Sequence, residues 1–250
     1  MAENNRYAGK RFSILGDSIS TLEGYNPPGY AVFYTGEVRA AAGVTAPEET
    51  WWGMAVSRLE GELLVNNSYS GSRVSRLPGG DLFPSGCSDE RTGALDRGGK
   101  TPDVILVCLG MNDWGYGVKC RDDGALPEGG YDTFEGAYRT MIAKLQRNYP
   151  AAEICPCTFC TAYMPSDYAF SFPYRLAGTH IEDFNDVIRE ICAGSEKESV
   201  SAGESKGRAG RLHLLDLYRF YTPYAAIEGF HPTRRGMETL ADLIVRALTG

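Results

Sequence analysis

The sequence predicts an α/β protein built on a parallel sheet of five strands. Apolar runs typical of buried strands alternate five times with segments whose apolar residues recur at helical spacing. The run from Asp103 to Leu109 is apolar at every position after the aspartate, as expected of a strand that is buried on both faces. The sequence has no internal repeat and no linker, which predicts a single domain over residues 1–250.

The composition excludes several classes of protein. The chain is 43% hydrophobic and 23% charged, which is ordinary for a globular protein with a full core. Its formal net charge is −7, and no Lys/Arg-rich run offsets it, which argues against a nucleic-acid partner. No apolar run has the length of a membrane span. The first residues lack a secretory signal, which predicts a cytoplasmic protein unless the chain is a trimmed mature form. Nothing in the sequence specifies an oligomeric state.

The predicted elements follow one another regularly. Strands are predicted over residues 12–16, 62–66, 103–109, 153–161 and 211–217. Helices with an apolar stripe are predicted over 50–59, 134–149, 179–192, and from Pro232 or Thr233 to about Leu248. The intervening segments 21–49 and 73–101 are rich in Gly and Pro, 115–130 is rich in Gly, and 67–72 is polar, so irregular loops and a turn are predicted there. The polar segment 195–210 is predicted to be mobile.

Ser18 stands directly after the first predicted strand. Gly16 allows the backbone to turn sharply at the end of that strand. In open α/β sheets, ligand crevices form at the carboxyl ends of the strands. A serine at this edge can act as a nucleophile if other segments supply a base and donors for an oxyanion.

A base for this serine must come from one of three histidines. His231 lies in a loop between the last strand and the last helix, at the same predicted sheet edge, whereas His180 begins a helix and His213 lies within a strand. Glu228 can fold back onto the far ring nitrogen of His231 and fix its tautomer. Asp216, at the end of the fifth strand, is the rival for that role.

Two further residues at this edge can donate hydrogen bonds to an oxyanion. Gly71 follows the second strand, and a glycine lets its backbone N–H approach a substrate closely. Asn112 follows the third strand and carries a neutral amide with two donors. Glycine and asparagine are also common in ordinary turns. The prediction therefore depends on their joint occurrence with a serine and a histidine at separate strand ends.

Four blocks of this chain, in the family's order, resemble those of the SGNH (GDSL-like) hydrolases. They are Gly16-Asp17-Ser18-Ile19-Ser20, Asn66-x-Ser68-x-Ser70-Gly71, Gly110-Met111-Asn112-Asp113 and Glu228-x-x-His231-Pro232. The resemblance implies a flavodoxin-like, three-layer α/β/α sandwich and ester hydrolysis without a metal or cofactor. It implies Ser18 as nucleophile and His231 as base. It also implies an oxyanion hole formed by the backbone N–H groups of Ser18 and Gly71 and by the Asn112 side chain.

The resemblance does not fully determine the roles of the acidic residues around this site. The family usually has Asp three residues before the histidine, and this chain has Glu228. The extra methylene shifts the carboxylate, so a Ser–His pair assisted by Asp216 or by a backbone carbonyl is the alternative. Asp17, Asp113 and Asp216 are expected to support the site from behind. The first block also has Ile19-Ser20 where the family name has leucine.

The aromatic residues of the long loops suggest the substrate. Their rings can stack on sugars or line an apolar pocket, although they can also simply pack the loops. The leading prediction is hydrolysis of a short-chain, acetyl ester on a carbohydrate. A short-chain lipid or aryl esterase, a lysophospholipase-like acylhydrolase, and a carbohydrate-binding protein on an inactivated hydrolase fold are the alternatives.

Three other patterns match known sites only in part. Cys155, Cys157 and Cys160 have no second Cys/His cluster to complete a zinc shell, and buried strand thiols are the better interpretation, with the first two on one face and Cys160 pointing away. The G-x-S-x-G run from Gly203 to Gly207 lacks a preceding strand. The run 98–101 has the glycines and lysine of a phosphate loop, but a strand follows it where a helix N-terminus would have to hold the phosphate.

Overall fold

Parallel strands form the centre of the protein. The computed structural model describes residues 5–76, 84–122, 132–201 and 211–250, and the backbone alone for 195–201. The strands are β1 (Arg11–Gly16), β2 (Glu62–Ser68), β3 (Val104–Cys108), β4 (Glu153–Pro156), β5 (Ala162–Tyr163), β6 (Arg175–Leu176), β7 (Thr179–His180), β8 (Arg211–Leu212) and β9 (Tyr224–Ala225). The central sheet has the order β2-β1-β3-β4-β8, with every pair parallel.

Helices pack in two groups around this sheet. They are α1 (Gly36–Ala42), α2 (Trp51–Arg58), α3 (Asp89–Gly93), α4 (Met111–Gly115), α5 (Phe134–Asn148), α6 (Ile181–Ser201) and α7 (Arg234–Thr249). One group pairs α2 with α7, and the other pairs α3 and α6 with α5. The five-stranded parallel sheet and the three-layer α/β/α class predicted from the sequence are confirmed.

The sequence pattern explains why these elements form. The first four residues of β3 are buried, as the unbroken apolar run predicts. In α2, Trp51, Trp52 and Val56 face the core. The Thr50 side chain caps this helix by accepting a hydrogen bond from the Gly53 N–H at 3.0 Å, as predicted.

The register brings three strand ends to one edge of the sheet. Gly16 pairs with Ser68 on one side and with Cys108 on the other. The segments that carry Ser18, Gly71 and Asn112 leave the sheet just beyond these residues. The carboxyl-terminal edge is therefore where the predicted site residues gather.

Several predicted boundaries are wrong. Segment 21–49 contains α1, because residues 37–42 include neither Gly nor Pro and Gly43, at φ 70°, ends the helix. Segment 73–101 contains α3, capped by the Ser88 hydroxyl. Residues 111–115, directly after the third predicted strand, form α4, a helix that the sequence did not predict. Residues 97–100 form a tight turn through the Arg97–Lys100 bridge.

The strand and helix lengths also differ from the prediction. β2 continues to Ser68 instead of turning at 67, because buried partners satisfy the polar side chains of Asn66 and Asn67. β4 and β8 are shorter than predicted and are followed by an isolated bridge between Cys157 and Leu215. α6 extends beyond the predicted end at residue 192 to Ser201. The G-x-S-x-G run lies outside the described residues, as does most of segment 195–210.

Among the described residues, no helix has both the length and the apolar character that are needed to cross a membrane.

Candidate active site

A hydrogen-bonded chain of three side chains lies at the carboxyl edge of the sheet. The Nε2 atom of His231 is 2.8 Å from the Ser18 Oγ. The Nδ1 atom of the same ring contacts Glu228 Oε1. That carboxylate oxygen also accepts the His231 backbone N–H at 3.2 Å. The structure thus brings together the predicted nucleophile, base and orienting acid.

The turn that presents Ser18 depends on glycine and on Asp17. A Cβ at Gly16 would lie 2.7 Å from the Ser20 and Ser68 hydroxyl oxygens, so only glycine fits there. Asp17 caps the 3-10 turn Ser18–Ser20 by accepting the Ile19 N–H at 3.0 Å. The hydroxyl of Ser18 therefore projects from a tight, fixed turn at the end of β1.

A short closed loop holds Glu228 and His231. The Ile227 N–H donates to the His231 carbonyl at 2.8 Å, and Gly229 adopts φ 92° between them. This loop conformation allows the longer glutamate side chain to reach its own loop's imidazole. The Glu228 carboxylate thus reaches His231 despite its extra methylene.

Segment 21–49 covers the imidazole. The Phe33 ring stacks on His231 with an interplanar angle of 9° and a centroid distance of 3.4 Å. The neighbouring Tyr34 hydroxyl donates to the Pro232 carbonyl at 2.7 Å. Both contacts restrict the orientation of the imidazole and its loop. The sequence indicated an aromatic loop here but gave no signal that Phe33 would face the histidine.

The charge state of Glu228 follows from these contacts. Burial alone would raise its pKa, but hydrogen bonds from the His231 side chain and backbone outweigh burial and hold the pKa below its ordinary value. The carboxylate is therefore ionised at neutral pH, as a group that orients an imidazole must be.

The predicted oxyanion donors border the same turn. Among the described residues, the backbone N–H groups of Ser18 and Gly71 donate to no other protein atom. Gly71 has φ 81°, a conformation that favours glycine. Asn112 donates one amide hydrogen to the Ser72 carbonyl at 2.9 Å, which leaves its second hydrogen for a ligand.

Asp113 holds the loop that follows Gly71. Its two carboxylate oxygens accept the backbone N–H groups of Val74 at 2.8 Å and Ser75 at 2.9 Å. Burial raises the pKa of Asp113 despite these hydrogen bonds. Asp113 therefore ties the loop that bears one donor to the helix that bears another.

A buried arginine, which the sequence did not single out, ties the same loops to β1. The Nε of Arg91 donates to Asn67 Oδ1, and its Nη1 donates to the Ser72 hydroxyl and the Pro84 carbonyl. Its Nη2 donates to the Gly16 and Asn67 carbonyls, both at 2.9 Å. All five guanidinium donors thus have partners, and none of these is a carboxylate. Burial lowers the pKa of Arg91 to about 10, so the group remains charged at neutral pH.

Replacing Arg91 with lysine is expected to lower the free energy of unfolding by about 2–6 kcal/mol. An ammonium has three donors, so at least two buried acceptors lose their partner at about 1–3 kcal/mol each. Urea unfolding of wild type and of Arg91→Lys measures the loss. Arg97→Lys, at an exposed position, is the matched control and should be neutral. Equal stability of Arg91→Lys and wild type would contradict the assigned hydrogen bonds.

Asp17 makes stability depend on pH. Burial raises its pKa to about 6, against the opposing effects of the Ile19 N–H and the His231 and Arg91 charges. In the unfolded chain, the pKa of an aspartate carboxyl is about 3.9. The folded state therefore binds this proton more tightly, and its stability falls as pH rises from about 4 to about 6.

Asp17→Asn is therefore expected to stabilise the protein at pH 8 and not at pH 4. The gain at pH 8 is expected to reach about 3 kcal/mol, because a shift of about two pKa units is removed and the amide oxygen can still cap Ile19. Urea unfolding of both proteins at the two pH values measures it. The same difference at pH 4 and pH 8 would show that Asp17 does not titrate as assigned.

The remaining predicted groups lie apart from His231. Asp216 accepts hydrogen bonds from Arg189 and from the Thr158 hydroxyl, all at 3.0 Å, so it does not orient the imidazole. His180 lies in β7, and His213 Nδ1 is 2.8 Å from Glu153 Oε1, where β4 begins. Both histidines therefore lie in local environments that are separate from that of His231.

The cysteines do not gather as a ligand set. Among the described residues, the group with metal-ligand spacing is Glu153, Cys155 and His213, and the Arg6 guanidinium already contacts the carboxylate and the imidazole there. Cys157 and Cys160 line one cavity, contrary to the prediction that Cys160 points away, because β4 ends at Pro156 and strand alternation stops.

Comparison with known proteins identifies the family. The model of the GDSL-like lipase/acylhydrolase family matches residues 10–162, which include the first three blocks. A candidate GDSL-like lipase from Bacteroides ovatus has a similar structure, with a TM-score of 0.67, 23% identity, and coverage of 97% of this chain and 99% of that one. A candidate GDSL-like lipase from Bacteroides uniformis gives a TM-score of 0.66 at 24% identity, covering 96% of each chain.

A more distant structure has a carbohydrate ligand. It is a family two carbohydrate esterase from Clostridium thermocellum in complex with cellohexaose, with a TM-score of 0.56 and 15% identity, covering 98% of this chain and 65% of that one. No curated protein matches the sequence significantly. The family model spans more than half of the sequence, and the structural similarity extends over almost all of it. The chain belongs to the SGNH, or GDSL-like, lipase/acylhydrolase family and is an esterase or acylhydrolase.

Proposed function

We propose that this chain is a serine esterase that removes short acyl groups, with acetyl esters of carbohydrates as its substrates. The observation that carries the mechanism is the continuous contact from Ser18 Oγ through the His231 ring to Glu228. A neutral imidazole in this position can accept the serine proton, and an ionised carboxylate behind it favours the tautomer that does so.

Acylation begins with proton transfer. His231 Nε2 takes the Ser18 hydroxyl proton as Ser18 Oγ bonds to the ester carbonyl carbon. The oxyanion that forms is held by the Ser18 and Gly71 backbone N–H groups and the free Asn112 amide hydrogen. The C–O bond to the alcohol then breaks, and His231 returns the proton to the leaving alkoxide, which yields the alcohol and acyl-Ser18.

Deacylation repeats the same steps with water. His231 takes a proton from a water molecule whose oxygen bonds to the acyl carbon. The same donors hold the second oxyanion. The bond to Ser18 Oγ breaks, Ser18 regains its proton from His231, and the carboxylic acid leaves.

Asn112→Ala is expected to lower kcat by about 10²–10³-fold, because one donor to the oxyanion is lost from both steps. Steady-state hydrolysis of p-nitrophenyl acetate gives kcat and KM separately. The loss should fall on kcat, since the donor acts on charge that develops during the reaction. An unchanged kcat would remove Asn112 from the mechanism.

A substrate screen tests the proposed function. Purified protein is assayed on p-nitrophenyl esters from acetate to laurate and on acetylated sugars, with Ser18→Ala as the control. We expect activity to be highest on acetate and to fall with chain length, and acetate to be released from the sugars. Higher activity on the long esters would contradict the short-acyl proposal, and equal rates for wild type and Ser18→Ala would contradict the serine mechanism.

A further inference from the structure

A groove lies beside the candidate active site. Its volume is about 460 Å³. It is lined by three segments: the chain that leaves β4, the loop around residue 172, and the loop between β8 and β9. Its principal residues are Tyr163, Phe170, Ser171, Tyr174, Tyr218 and Tyr221. None of them takes part in the proposed hydrolysis.

The lining of this groove is uncharged and rich in hydroxyl groups. Every described residue that lines it is neutral, and the set includes four tyrosines together with Thr161, Ser171 and Thr222. A charged ligand would find no ion pair in this lining, and an alkyl chain would cover hydroxyl groups without pairing them. A neutral, hydroxyl-bearing ligand suits both properties.

Three of the tyrosines are partly or largely exposed to solvent. Tyr221 is 85% exposed, Tyr174 is 47% exposed and Tyr163 is 36% exposed. Among the described residues, their hydroxyls have no hydrogen-bond partner. Tyr221 also has φ 50°, an uncommon conformation for a residue with a large side chain. Flat apolar rings with free hydroxyls are suited to stacking on sugar rings and bonding their hydroxyls.

Two residues that line the groove, Tyr163 and Phe170, contact the chain segment that carries His231. Tyr163 pairs with Ala225, and its carbonyl accepts the Ala226 N–H at 2.8 Å. Two residues after Ala226 the chain reaches Glu228. The ring of Phe170 packs so closely on Gly229 that a Cβ there would lie 2.5 Å from it. A ligand in the groove would therefore lie beside the loop of the candidate active site.

We propose that this groove binds neutral sugar units that flank the acylated unit of an oligosaccharide substrate. This inference rests on the proposed function, which is cleavage of an ester at Ser18. It adds a separate binding site for the sugar chain that bears the ester. The enzyme then acts on oligomers in preference to acetylated monosaccharides, because the groove contacts only the longer substrates.

The test compares substrates of different length in groove variants. Acetylated xylo-oligosaccharides of one to four units and p-nitrophenyl acetate are assayed with wild type, Tyr221→Ala and Tyr163→Ala. For wild type, kcat/KM is expected to rise with sugar length. In each variant, the ratio of kcat/KM on the tetramer to that on p-nitrophenyl acetate is expected to fall by about fivefold to tenfold. Tyr168→Ala is the matched control, because Tyr168 is 98% exposed in the same region but does not line the groove.

A binding measurement separates this inference from the esterase mechanism. Calorimetry with unsubstituted xylotetraose is carried out on wild type and Tyr221→Ala, since no hydrolysis is involved. Weaker binding by Tyr221→Ala supports the groove even if no ester is cleaved. If wild type cleaves p-nitrophenyl acetate but shows no length dependence and no binding of xylotetraose, the groove proposal is overturned while the esterase stands.

Discussion

Ser18→Ala is expected to lower kcat on p-nitrophenyl acetate by about 10⁵–10⁶-fold, because no covalent intermediate can form and the base has no nucleophile to activate. The Ser18 hydroxyl contacts the His231 ring. Among the described residues this is the one hydrogen bond of that hydroxyl, so its removal is expected to leave the turn and the core unchanged. Steady-state kinetics and a thermal melt together measure this, and the melting temperature should stay within a few degrees of wild type.

Ser166→Ala is the matched control, because Ser166 is exposed and lies on a surface loop. It should retain full activity. If Ser18→Ala kept activity within about tenfold of wild type while folding normally, another group would have to be the nucleophile.

Glu228→Gln is expected to lower kcat by about 10³–10⁴-fold. Glutamine keeps the length of the side chain but loses the charge that favours the protonated imidazole. Its amide N–H can also donate to Nδ1, which would stabilise the tautomer that carries its hydrogen on Nε2 and so cannot accept the serine proton there. The expected signature is a large loss of kcat with little change in KM, measured on p-nitrophenyl acetate.

Two further variants make this prediction specific. Asp216→Asn should keep its kcat, because Asp216 is engaged by Arg189 and Thr158 and not by His231. Glu228→Asp retains the charge with a shorter reach and should lose less activity than Glu228→Gln. Loss of activity in Asp216→Asn with normal activity in Glu228→Gln would transfer the orienting role to the rival acid.

The fold could be predicted from the sequence because its strongest signals are local. The apolar run of β3 and the glycine that ends β1 indicate a parallel strand and a turn without knowledge of any other segment. Parallel strands place their carboxyl ends together, so Ser18, Gly71 and Asn112 could be predicted to share an edge from their positions after strands.

The remaining features depend on contacts between distant segments. Arg91 stands among polar and charged residues in the sequence, and only the packing of α3 buries it beneath the end of β1. Phe33 is one aromatic residue among many in its loop until the fold stacks it on His231. The choice between Glu228 and Asp216 depends on how one loop closes and on an Arg189 contact that sequence spacing does not reveal.

The boundary errors have the same origin. The local sequence predicts that β2 ends at its first polar residues, yet Asn66 reaches the Ser20 carbonyl and Asn67 reaches Arg91 inside the core. A polar residue ends a strand only where the fold supplies no partner for it, and partners across the sheet cannot be read from local sequence.

Covalent trapping tests the central claim, that Ser18 is the nucleophile, most directly. The protein is treated with a p-nitrophenyl alkylphosphonate, and the adduct is located by intact mass and peptide mapping. One phosphonyl group is expected on Ser18, with loss of esterase activity in proportion to labelling and no labelling of Ser18→Ala. Labelling at a different residue, or full inhibition without an adduct on Ser18, would contradict the account.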